Sequence, residues 1–475
     1  MSSIRKRKLI DDRQSFSHQR TNANRPQSRS PKIRLQKWFL ILISFVALTL
    51  VVGSYYKALP WSLQSHATNT LDAVAYSLGL QKHVHAIIID AGSTGSRVLA
   101  FTFHESLLAD GTLRLDNELF VQIKPGLSSY ADNPKKGAEK LQELLDRAKE
   151  VIPHSDWGRT PLAMKATAGL RLLPDHQADS LLDEVRKLFS TSPFLTNVNS
   201  VAIMDGVDEG LFSWFTVNFL LDRLGGEVKK TVAALDLGGG STQITFAPSE
   251  AVTLKQADPK FLHPISLFHH NVTVYTHSYL GLGLMAARKA ILTVGKSEGS
   301  TTLRSECVNP IITGAPWTYS GVTYTVRGPE KPEYKTVKGS AHTEDEKRPV
   351  VRFTECVNII QKYVKGKVDK PAELNSREIN AFSYYFDRAT EFGLIDPFTG
   401  GVVTVKDFQK AAIRACETPN TEQPFMCLDL AFISVLLKDG FGLNPDVKLN
   451  LYKKIDGHEI SWALGAAFHI LQNGL

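Results

Sequence analysis

The feature that most constrains the fold is a pair of similar turns, each placed directly after a run of β-forming apolar residues. The first turn is Asp90-Ala91-Gly92-Ser93-Thr94-Gly95 after Ala86–Ile89, and the second is Asp236-Leu237-Gly238-Gly239-Gly240-Ser241-Thr242 after Val232–Leu235. Each strand end presents one carboxylate, and the small residues that follow let backbone N–H groups approach anionic oxygens. Two such turns that face each other would clamp a phosphate, so the pattern indicates nucleotide chemistry.

The surroundings of the two turns predict an internal duplication. Val98–Phe103 and Gln243–Phe246 read as hairpin partners of the two strands, and each half then continues into a helix. The charged, Pro-containing stretch 327–349 predicts an exposed loop. Glu459–Leu471 carries one apolar helical face and predicts a final helix that packs on the first half.

The positive charge of the chain is concentrated at its N-terminus. Residues 1–37 carry eleven Lys or Arg and two acidic residues, Asp11 and Asp12, for a net charge of +9. Because the whole chain has a net charge of +7, the residues after 37 carry −2. We therefore expect no nucleic-acid partner, and we expect this Ser/Arg/Gln/Asn-rich tail to be disordered.

An uncharged apolar stretch, 38–56, follows the basic tail. As a helix it would reach about 28 Å, enough to cross a thin bilayer core. The positive flank lies before it, which predicts a single-pass anchor with a cytosolic tail and a lumenal or extracellular remainder that starts with a stem, 57–82. A cleaved signal peptide is the alternative, but a 37-residue leading region is long for one. The short span favours an internal membrane, with the cell surface left open.

Four cysteines, Cys307, Cys356, Cys416 and Cys427, all lie beyond the apolar stretch. An even number in an oxidising compartment predicts two disulfides, for which sequential pairing is one of three connectivities. A zinc site is the competing interpretation, although no Cys-x-x-Cys spacing occurs. The sequon Asn271-Val272-Thr273 predicts a glycosylation site at Asn271.

Asp90 and Asp236 are the candidates for holding a cation. A carboxylate beside a phosphate-cradling turn suits Mg²⁺ or Ca²⁺, because Mg²⁺ in particular keeps several waters and takes few protein ligands. A lone Asp before Gly more often caps its own turn. Two copies, each at the exit of a buried strand, favour phosphate and metal binding.

Glu209 is the candidate general base. No Cys, His or Lys lies in either turn to act as a nucleophile, so water is the expected attacker and needs a base. Asp205 suits an N-cap, which places Glu209 in the first turn of a helix, where an acidic residue also compensates the helix dipole. Ser241 and Gln243 are candidates for orienting the water through hydrogen bonds, with satisfaction of backbone groups as the alternative for each.

Two further segments are candidates for binding substrate. Thr167 and Arg171 suit phosphate contacts, with a structural ion pair as the alternative for Arg171. Tyr384 and Tyr385 lie in the aromatic run 382–386, which either stacks on a nucleobase or belongs to the core.

Five of these segments, taken together, resemble the apyrase-conserved regions of the nucleoside triphosphate diphosphohydrolase superfamily, in the order typical of that family. They are Ile89–Arg97, Lys165–Arg171, Asp205–Gly210, Asp236–Gln243 and Trp462–Gly465. The resemblance implies an α/β, two-lobed, actin-like (RNase H type) fold with the active site between lobes. We expect lobe I to comprise 83–205 and 440–475, and lobe II to comprise 206–439.

The resemblance also implies roles for single residues. Glu209 would be the base, Ser241 and Gln243 would position the water, and Asp90 and Asp236 would hold the water shell of Ca²⁺ or Mg²⁺. Phosphate contacts would come from Ser93, Thr94, Gly95, Thr167, Gly238, Gly239 and Gly240.

With one predicted membrane span and four cysteines, this chain is similar to the endomembrane diphosphatase branch of the family. This implies a Golgi enzyme, with the endoplasmic reticulum as an alternative, that hydrolyses GDP or UDP to the monophosphate and supports glycosylation. Surface members place an aromatic residue near Asp387, so their base-stacking residues do not transfer directly. An exopolyphosphatase-like enzyme and a non-catalytic nucleotide-binding membrane protein are the rival hypotheses.

Overall fold

The computed structural model describes residues 81–475 apart from 107–112, 225, 268–269 and 339–344, and ten isolated positions before residue 80. By its contacts the chain divides into two units, 1–78 with 107–109, and 79–106 with 110–475. All sheets and helices described below belong to the second unit. The predicted tail, membrane anchor 38–56 and stem 57–82 lie almost wholly outside the described residues. Within the described part, no helix has the length and apolarity needed to cross a bilayer.

A mixed five-stranded sheet carries the first turn. Its order is β3-β2-β1-β4-β5, with β1, β2 and β3 antiparallel and with β4 and β5 parallel to β1. The central strand is buried on both faces, which explains its continuous apolar run. The strands are β1 (His83–Ala91), β2 (Ser96–Glu105), β3 (Leu113–Ile123), β4 (Leu162–Ala166) and β5 (Val201–Ile203).

A mixed seven-stranded sheet carries the second turn. Its order is β16-β17-β15-β6-β7-β9-β8, and β15 and β17 run parallel to β6. The strands are β6 (Ala233–Leu237), β7 (Ser241–Phe246), β8 (Leu262–Leu267), β9 (His270–Leu280), β15 (Ile379–Ser383), β16 (Gly401–Thr404) and β17 (Lys448–Leu451). Smaller sheets contain β10 (Thr302–Arg304), β11 (Ala315–Tyr319), β12 (Val322–Arg327), β13 (Glu333–Val337), β14 (Glu346–Val350), β18 (Lys454–Ile455) and β19 (His458–Glu459).

Helices cover both sheets, so the fold class is α/β with mixed sheets. They are α1 (Pro134–Val151), α2 (Ala168–Arg171), α3 (Asp175–Ser190), α4 (Gly206–Leu220), α5 (Ala251–Gln256), α6 (Leu284–Leu292), α7 (Phe353–Val364), α8 (Tyr384–Glu391), α9 (Val405–Glu417), α10 (Met426–Val435) and α11 (Trp462–Asn473).

The predicted duplication is confirmed by strand register. Each turn joins two antiparallel strands, and a third strand runs parallel to the first: β4 beside β1, and β15 beside β6. The cross-strand partner of each strand-end carboxylate also lies at the equivalent position: Asp90 pairs with Arg97, and Asp236 pairs with Gln243. The two halves therefore place a carboxylate and its cross-strand partner in the same way.

The last helix packs on the first sheet, as predicted. Leu464 shares a buried cluster with Ile88 of β1 and Phe101 of β2. Gly465 allows close contact with α4, because a Cβ there would lie 2.5 Å from the Phe212 carbonyl oxygen. The helix begins at Trp462 with Ser461 as its N-cap, not at Glu459, which lies in β19. The Ser461 hydroxyl accepts from the Ala463 N–H and so sets that boundary.

The exposed loop predicted for 327–349 is wrong in its conformation. Strands β13 and β14 form an antiparallel hairpin there, although most of their residues are exposed as expected. Charged residues in this stretch conceal β-pairing, because cross-strand hydrogen bonds need no apolar side chains.

Both predicted disulfides are present and their pairing is sequential. Cys307 bonds to Cys356, and Cys416 bonds to Cys427. Asn271 is exposed on β9, and its glycosylation stays a prediction. The lobe boundaries also stay predictions. Within 440–475, strand β17 pairs in the seven-stranded sheet.

Candidate active site

The two glycine turns face each other. Each closes with the same type of hydrogen bond, from the Gly92 N–H to the Gly95 carbonyl at 3.1 Å and from the Gly238 N–H to the Ser241 carbonyl at 3.0 Å. A Cβ on Gly239 would lie only 2.3 Å from Ser93 Oγ in the opposite turn. The turns are thus in contact range, and a side chain at Gly239 would fill the space between them.

Other backbone segments hold the turns in place. Thr167 lies beside the first turn, and its N–H donates to the Ala91 carbonyl at 3.3 Å. At the second turn, helix α6 begins with the Leu284 N–H donating to the Gly238 carbonyl at 2.9 Å and the Met285 N–H donating to the Gly239 carbonyl at 3.0 Å. The turn therefore satisfies helix-terminal N–H groups that would otherwise lack partners.

Both strand-end carboxylates are buried beside the turns. Arg97 Nη1 donates to Asp90 Oδ2 at 2.9 Å. Burial raises the pKa of Asp90, and Arg97 opposes that shift. Burial likewise raises the pKa of Asp236 to about 6, and the nearby Asp90 carboxylate acts in the same direction. The two acids therefore repel each other in a region from which water is largely excluded.

Those two carboxylates fit a hydrated cation. Asp90 Oδ1 and Asp236 Oδ1 are buried and have no hydrogen-bond partner among the described residues. No group of three His, Cys, Asp or Glu able to ligate one ion occurs in that part of the chain. Orphaned acceptors with so few direct ligands suit Ca²⁺ or Mg²⁺ held mainly through water.

Glu209 lies in the first turn of α4 and lines the cavity, and its residue exposure is only 6%. The Asp205 carboxylate accepts from the Val207 N–H, which confirms the predicted N-cap. Burial raises the pKa of Glu209 to about 8, Arg171 lowers it, and Asp236 and Asp90 raise it. A carboxyl tuned to this range can take up a proton near neutral pH.

Arg171 forms an ion pair with Glu209 through its Nη2 and the Glu209 Oε2. It does not line the cavity. The structure therefore favours the ion-pair alternative over the phosphate contact predicted for Arg171, because the guanidinium is directed at the base. Arg171 is in this way a positioning residue for Glu209.

Ser241 and Gln243 form one hydrogen-bonded unit. Gln243 Nε2 donates to Ser241 Oγ at 2.8 Å and to Ser278 Oγ at 2.9 Å. Ser241 lines the cavity, whereas Gln243 is buried behind it with an exposure of 1%. Gln243 is thus placed to fix the Ser241 hydroxyl. Its Oε1 has no hydrogen-bond partner among the described residues, and the predicted roles of Gln243 and Ser241 in orienting the water stay predictions.

A cavity of about 670 Å³ opens between the turns. Gly95 and Tyr385 do not line it. The base-stacking contact predicted for Tyr385 is wrong, because this side chain is fully buried. Tyr384 does reach the cavity. The predicted site residues along its wall are Ser93, Thr94, Thr167, Glu209, Asp236, Gly238, Gly239, Gly240, Ser241 and Tyr384.

Sequence reasoning missed several residues on the cavity wall. Ser383 lies beside the second turn with a φ of 58°, a conformation that non-glycine residues rarely adopt. By register Ser383 pairs with Leu237, as Ala166 pairs with Ala91, so the duplication was the available signal. Arg288 and Arg388 also line the cavity. No local pattern marks them, because their shared partner is distant in sequence.

Known proteins resemble most of this chain. It is 45% identical over 395 residues to ectonucleoside triphosphate diphosphohydrolase 5 of Ailuropoda melanoleuca, covering 82% of this chain and 88% of that protein. It is 44% identical over 395 residues, with the same coverage, to nucleoside diphosphate phosphatase ENTPD5 of Homo sapiens. It is 42% identical to ectonucleoside triphosphate diphosphohydrolase 6 of Mus musculus, covering 82% of each.

A solved structure and a protein-family model also match this chain. A solved nucleoside triphosphate hydrolase from Neospora caninum has the same fold, with a TM-score of 0.54 at 14% identity over 87% of this chain and 98% of that one. The model of the GDA1/CD39 (nucleoside phosphatase) family matches residues 78–474. That range contains both sheets, both turns and Glu209. The chain therefore belongs to the GDA1/CD39 nucleoside phosphatase family.

Proposed function

We propose that this chain hydrolyses nucleoside diphosphates, GDP and UDP foremost, to the monophosphate and inorganic phosphate. The observation that carries the proposal is the contact-range approach of the two turns, with the Glu209 carboxyl on the wall of the cavity between them. The relative from Homo sapiens is named a nucleoside diphosphate phosphatase and is 44% identical over most of the chain. Family membership and cavity geometry thus support the same chemistry.

The reaction is an in-line displacement at the terminal phosphorus. The oxygen of a water molecule bonds to phosphorus, the bond from phosphorus to the bridging oxygen breaks, and its electron pair leaves with the monophosphate. Glu209 takes the proton that the water loses. Ser241, held by Gln243, accepts or donates a hydrogen bond to that water and so fixes its direction of attack.

Binding of the phosphates is assigned to the turns themselves. Their backbone N–H groups, the hydroxyls of Ser93 and Thr94, and Thr167 on the neighbouring segment supply donors to the phosphate oxygens. Asp90 and Asp236 would hold Ca²⁺ or Mg²⁺ through water. Such an ion, when bound, neutralises charge on the phosphate oxygens.

The wider assignments follow from the family and the sequence. The repeated strand–turn–strand units support a two-lobed, actin-like fold with the cleft between lobes. The basic tail before 38–56 supports a single-pass protein with a lumenal catalytic part, and the short span supports a Golgi membrane. There the enzyme would remove the nucleotide product of glycosyl transfer.

The test is phosphate release by the purified protein from GDP, UDP, ATP and polyphosphate, in parallel with Glu209→Gln. We expect the wild type to release phosphate from GDP and UDP, and Glu209→Gln to release none. Release from polyphosphate alone would favour the exopolyphosphatase-like alternative. Nucleotide binding without release by the wild type would favour a non-catalytic nucleotide-binding protein, and equal release by the variant would remove the proposed mechanism.

A further inference from the structure

One wall of the cavity has a charged arrangement that the hydrolytic step does not use. Arg288 of α6, Arg388 of α8 and the fully buried Asp429 of α10 form a connected group. Both arginines line the cavity, and Glu391, which lines it too, is paired with Arg388. Two guanidinium groups and two carboxylates are therefore held together beside the substrate space.

Asp429 fixes both arginines from below the cavity surface. Its Oδ1 accepts from Arg288 Nε at 3.0 Å, and its Oδ2 accepts from Arg288 Nη2 and, at 3.3 Å, from Arg388 Nη1. A buried carboxylate is retained only when such donors compensate its lost hydration. The network consequently orients two long side chains that would otherwise sample many rotamers.

Arg288 is held further by aromatic rings. Its guanidinium carbon lies 4.3 Å from the centre of the Phe425 ring and 5.5 Å from that of Trp317. Stacking on both rings and a bidentate bond to Asp429 leave Arg288 little freedom. Arg288 therefore acts as a fixed anchor for Asp429. Arg388 pairs with both Asp429 and Glu391, so it is the arginine that lies beside a second cavity-lining carboxylate.

Arg388 and Glu391 present complementary groups side by side. Arg388 Nη2 donates to Glu391 Oε1 at 2.7 Å, and Glu391 has an exposed side chain. Each Nη carries a second N–H, and each carboxylate oxygen has a second lone pair. The pair can thus donate to an acceptor and accept from a donor on one neighbouring molecule.

Arg288, Arg388 and Glu391 line the same cavity as the two phosphate turns. Helix α6 starts on the carbonyls of Gly238 and Gly239, and Arg288 follows four residues after Leu284, about 6 Å along the axis. A nucleotide with its phosphates in the turns would extend its ribose and base into this cavity, which Arg388 and Glu391 line.

We propose that Arg388 and Glu391 read the base edge and select bases that carry a carbonyl beside a ring N–H. This inference rests on the proposed function and deepens it. Guanine and uracil both present a carbonyl oxygen next to an N–H, which match the Arg388 donor and the Glu391 acceptor. Adenine and cytosine present an amino group next to a bare ring nitrogen, so donor would face donor and lone pair would face carboxylate.

The experiment measures kcat/KM of the purified protein for GDP, UDP, ADP and CDP, and for ribose 5-diphosphate, which lacks a base. The wild type should prefer GDP over ADP and UDP over CDP by about tenfold or more, the value of one charge-assisted hydrogen bond. Glu391→Gln should reduce both preferences about tenfold, because a carboxamide also donates to the ring nitrogen of adenine or cytosine. Part of that change should be faster hydrolysis of ADP and CDP, which damage to the fold does not produce.

A second variant and a matched control complete the test. Arg388→Gln should reduce the same ratios, with its melting temperature measured because Asp429 loses a donor. Glu355→Gln breaks an i,i+3 pair between Glu355 of α7 and Arg352, the N-cap residue of that helix. Neither residue lines the cavity, so the ratios should stay unchanged. Turnover of ribose 5-diphosphate gives the baseline activity, which Glu355→Gln should leave unchanged.

Three results would overturn the inference: a wild type without base preference, preferences unchanged in Glu391→Gln, or equal changes in Glu355→Gln. A wild type that hydrolyses no diphosphate would instead refute the proposed function. The two failures are therefore distinguishable. If the base instead contacts other lining residues, such as Phe120 or Tyr452, the ratios will respond to neither variant and the inference is wrong.

Discussion

Replacing Arg171 by Met should displace the pH–rate profile rather than lower it uniformly. Arg171 is paired with Glu209, and this positive charge lowers the pKa of a carboxyl that burial has raised to about 8. Without the guanidinium, burial and the nearby Asp236 and Asp90 carboxylates act unopposed, so the pKa of Glu209 rises further. The base is active only when ionised, and the variant therefore needs a higher pH.

The size of the effect follows from the ionised fraction. A carboxyl with a pKa of about 8 is ionised in about one molecule in ten at pH 7. Loss of an adjacent opposite charge raises a carboxyl pKa by about 1 unit at least. The ionised fraction at pH 7, and with it kcat, should fall about tenfold and should recover as pH rises. A bound cation would move both profiles to lower pH but preserve the difference between them.

The assay is phosphate release from GDP between pH 6 and 10 at saturating substrate, for the wild type, Arg171→Met, Arg171→Lys and Arg186→Met. Arg171→Lys keeps the charge and should retain most of the wild-type profile. Arg186 forms an exposed pair with Asp183 and serves as the matched control. An unchanged acidic limb in Arg171→Met, or an equal loss of kcat at every pH, would refute this account of Arg171.

Three other perturbations test separate parts of the structure. Gly239→Ala should reduce kcat/KM for GDP by about 100-fold or more with little change in melting temperature, because its Cβ would enter the space occupied by Ser93 Oγ. Adding Ser93→Ala should restore part of the lost kcat/KM, and a double variant without any gain would contradict the facing turns. Opening the Cys416–Cys427 bridge with two serines should cost about 3 kcal/mol of unfolding free energy by chain entropy, and an unchanged denaturation midpoint would show that this loop is ordered without it. Chelation with EDTA should stop phosphate release, and Ca²⁺ or Mg²⁺ should restore it; full activity in EDTA would remove the cation from the proposal.

Local sequence patterns were sufficient for the parts of the fold that rest on periodicity. Both glycine turns, their hairpins and the N-cap at Asp205 could be predicted, because each depends on neighbouring residues. The hairpin of β13 and β14 could not, since its strands are charged and exposed and owe little to side-chain burial.

Site residues could be predicted where the residue type and its local position indicate the role. They were missed where the role depends on a contact with a residue distant in sequence. Glu209 could be proposed from a helix start. For Arg171 a structural ion pair was one of two alternatives, and its partner Glu209 could not be named from the sequence. Gln243 was predicted to orient the water, and the structure adds that its Nε2 donates to Ser241 and Ser278, contacts that the sequence did not indicate. The contacts that decide such roles join separate segments of the chain, and no spacing in the sequence records them.

Tyr385 illustrates the limit of residue type as evidence. Its ring is fully buried in the core of the seven-stranded sheet, whereas the adjacent Tyr384 reaches the cavity. Neighbouring positions at the start of α8 face different sides, and which side is the cavity depends on where the first sheet lies. Composition alone does not separate the two tyrosines.

The most direct test of the central claim compares GDP hydrolysis and GDP binding by the wild type and Glu209→Gln with the same divalent cation. The amide preserves the shape of the side chain but accepts no proton. We predict a fall in kcat of about 100-fold to 10,000-fold with the dissociation constant of GDP little changed. A variant that retains wild-type turnover, or one that loses activity only because GDP no longer binds, would contradict the assignment of Glu209 as the base between the two turns.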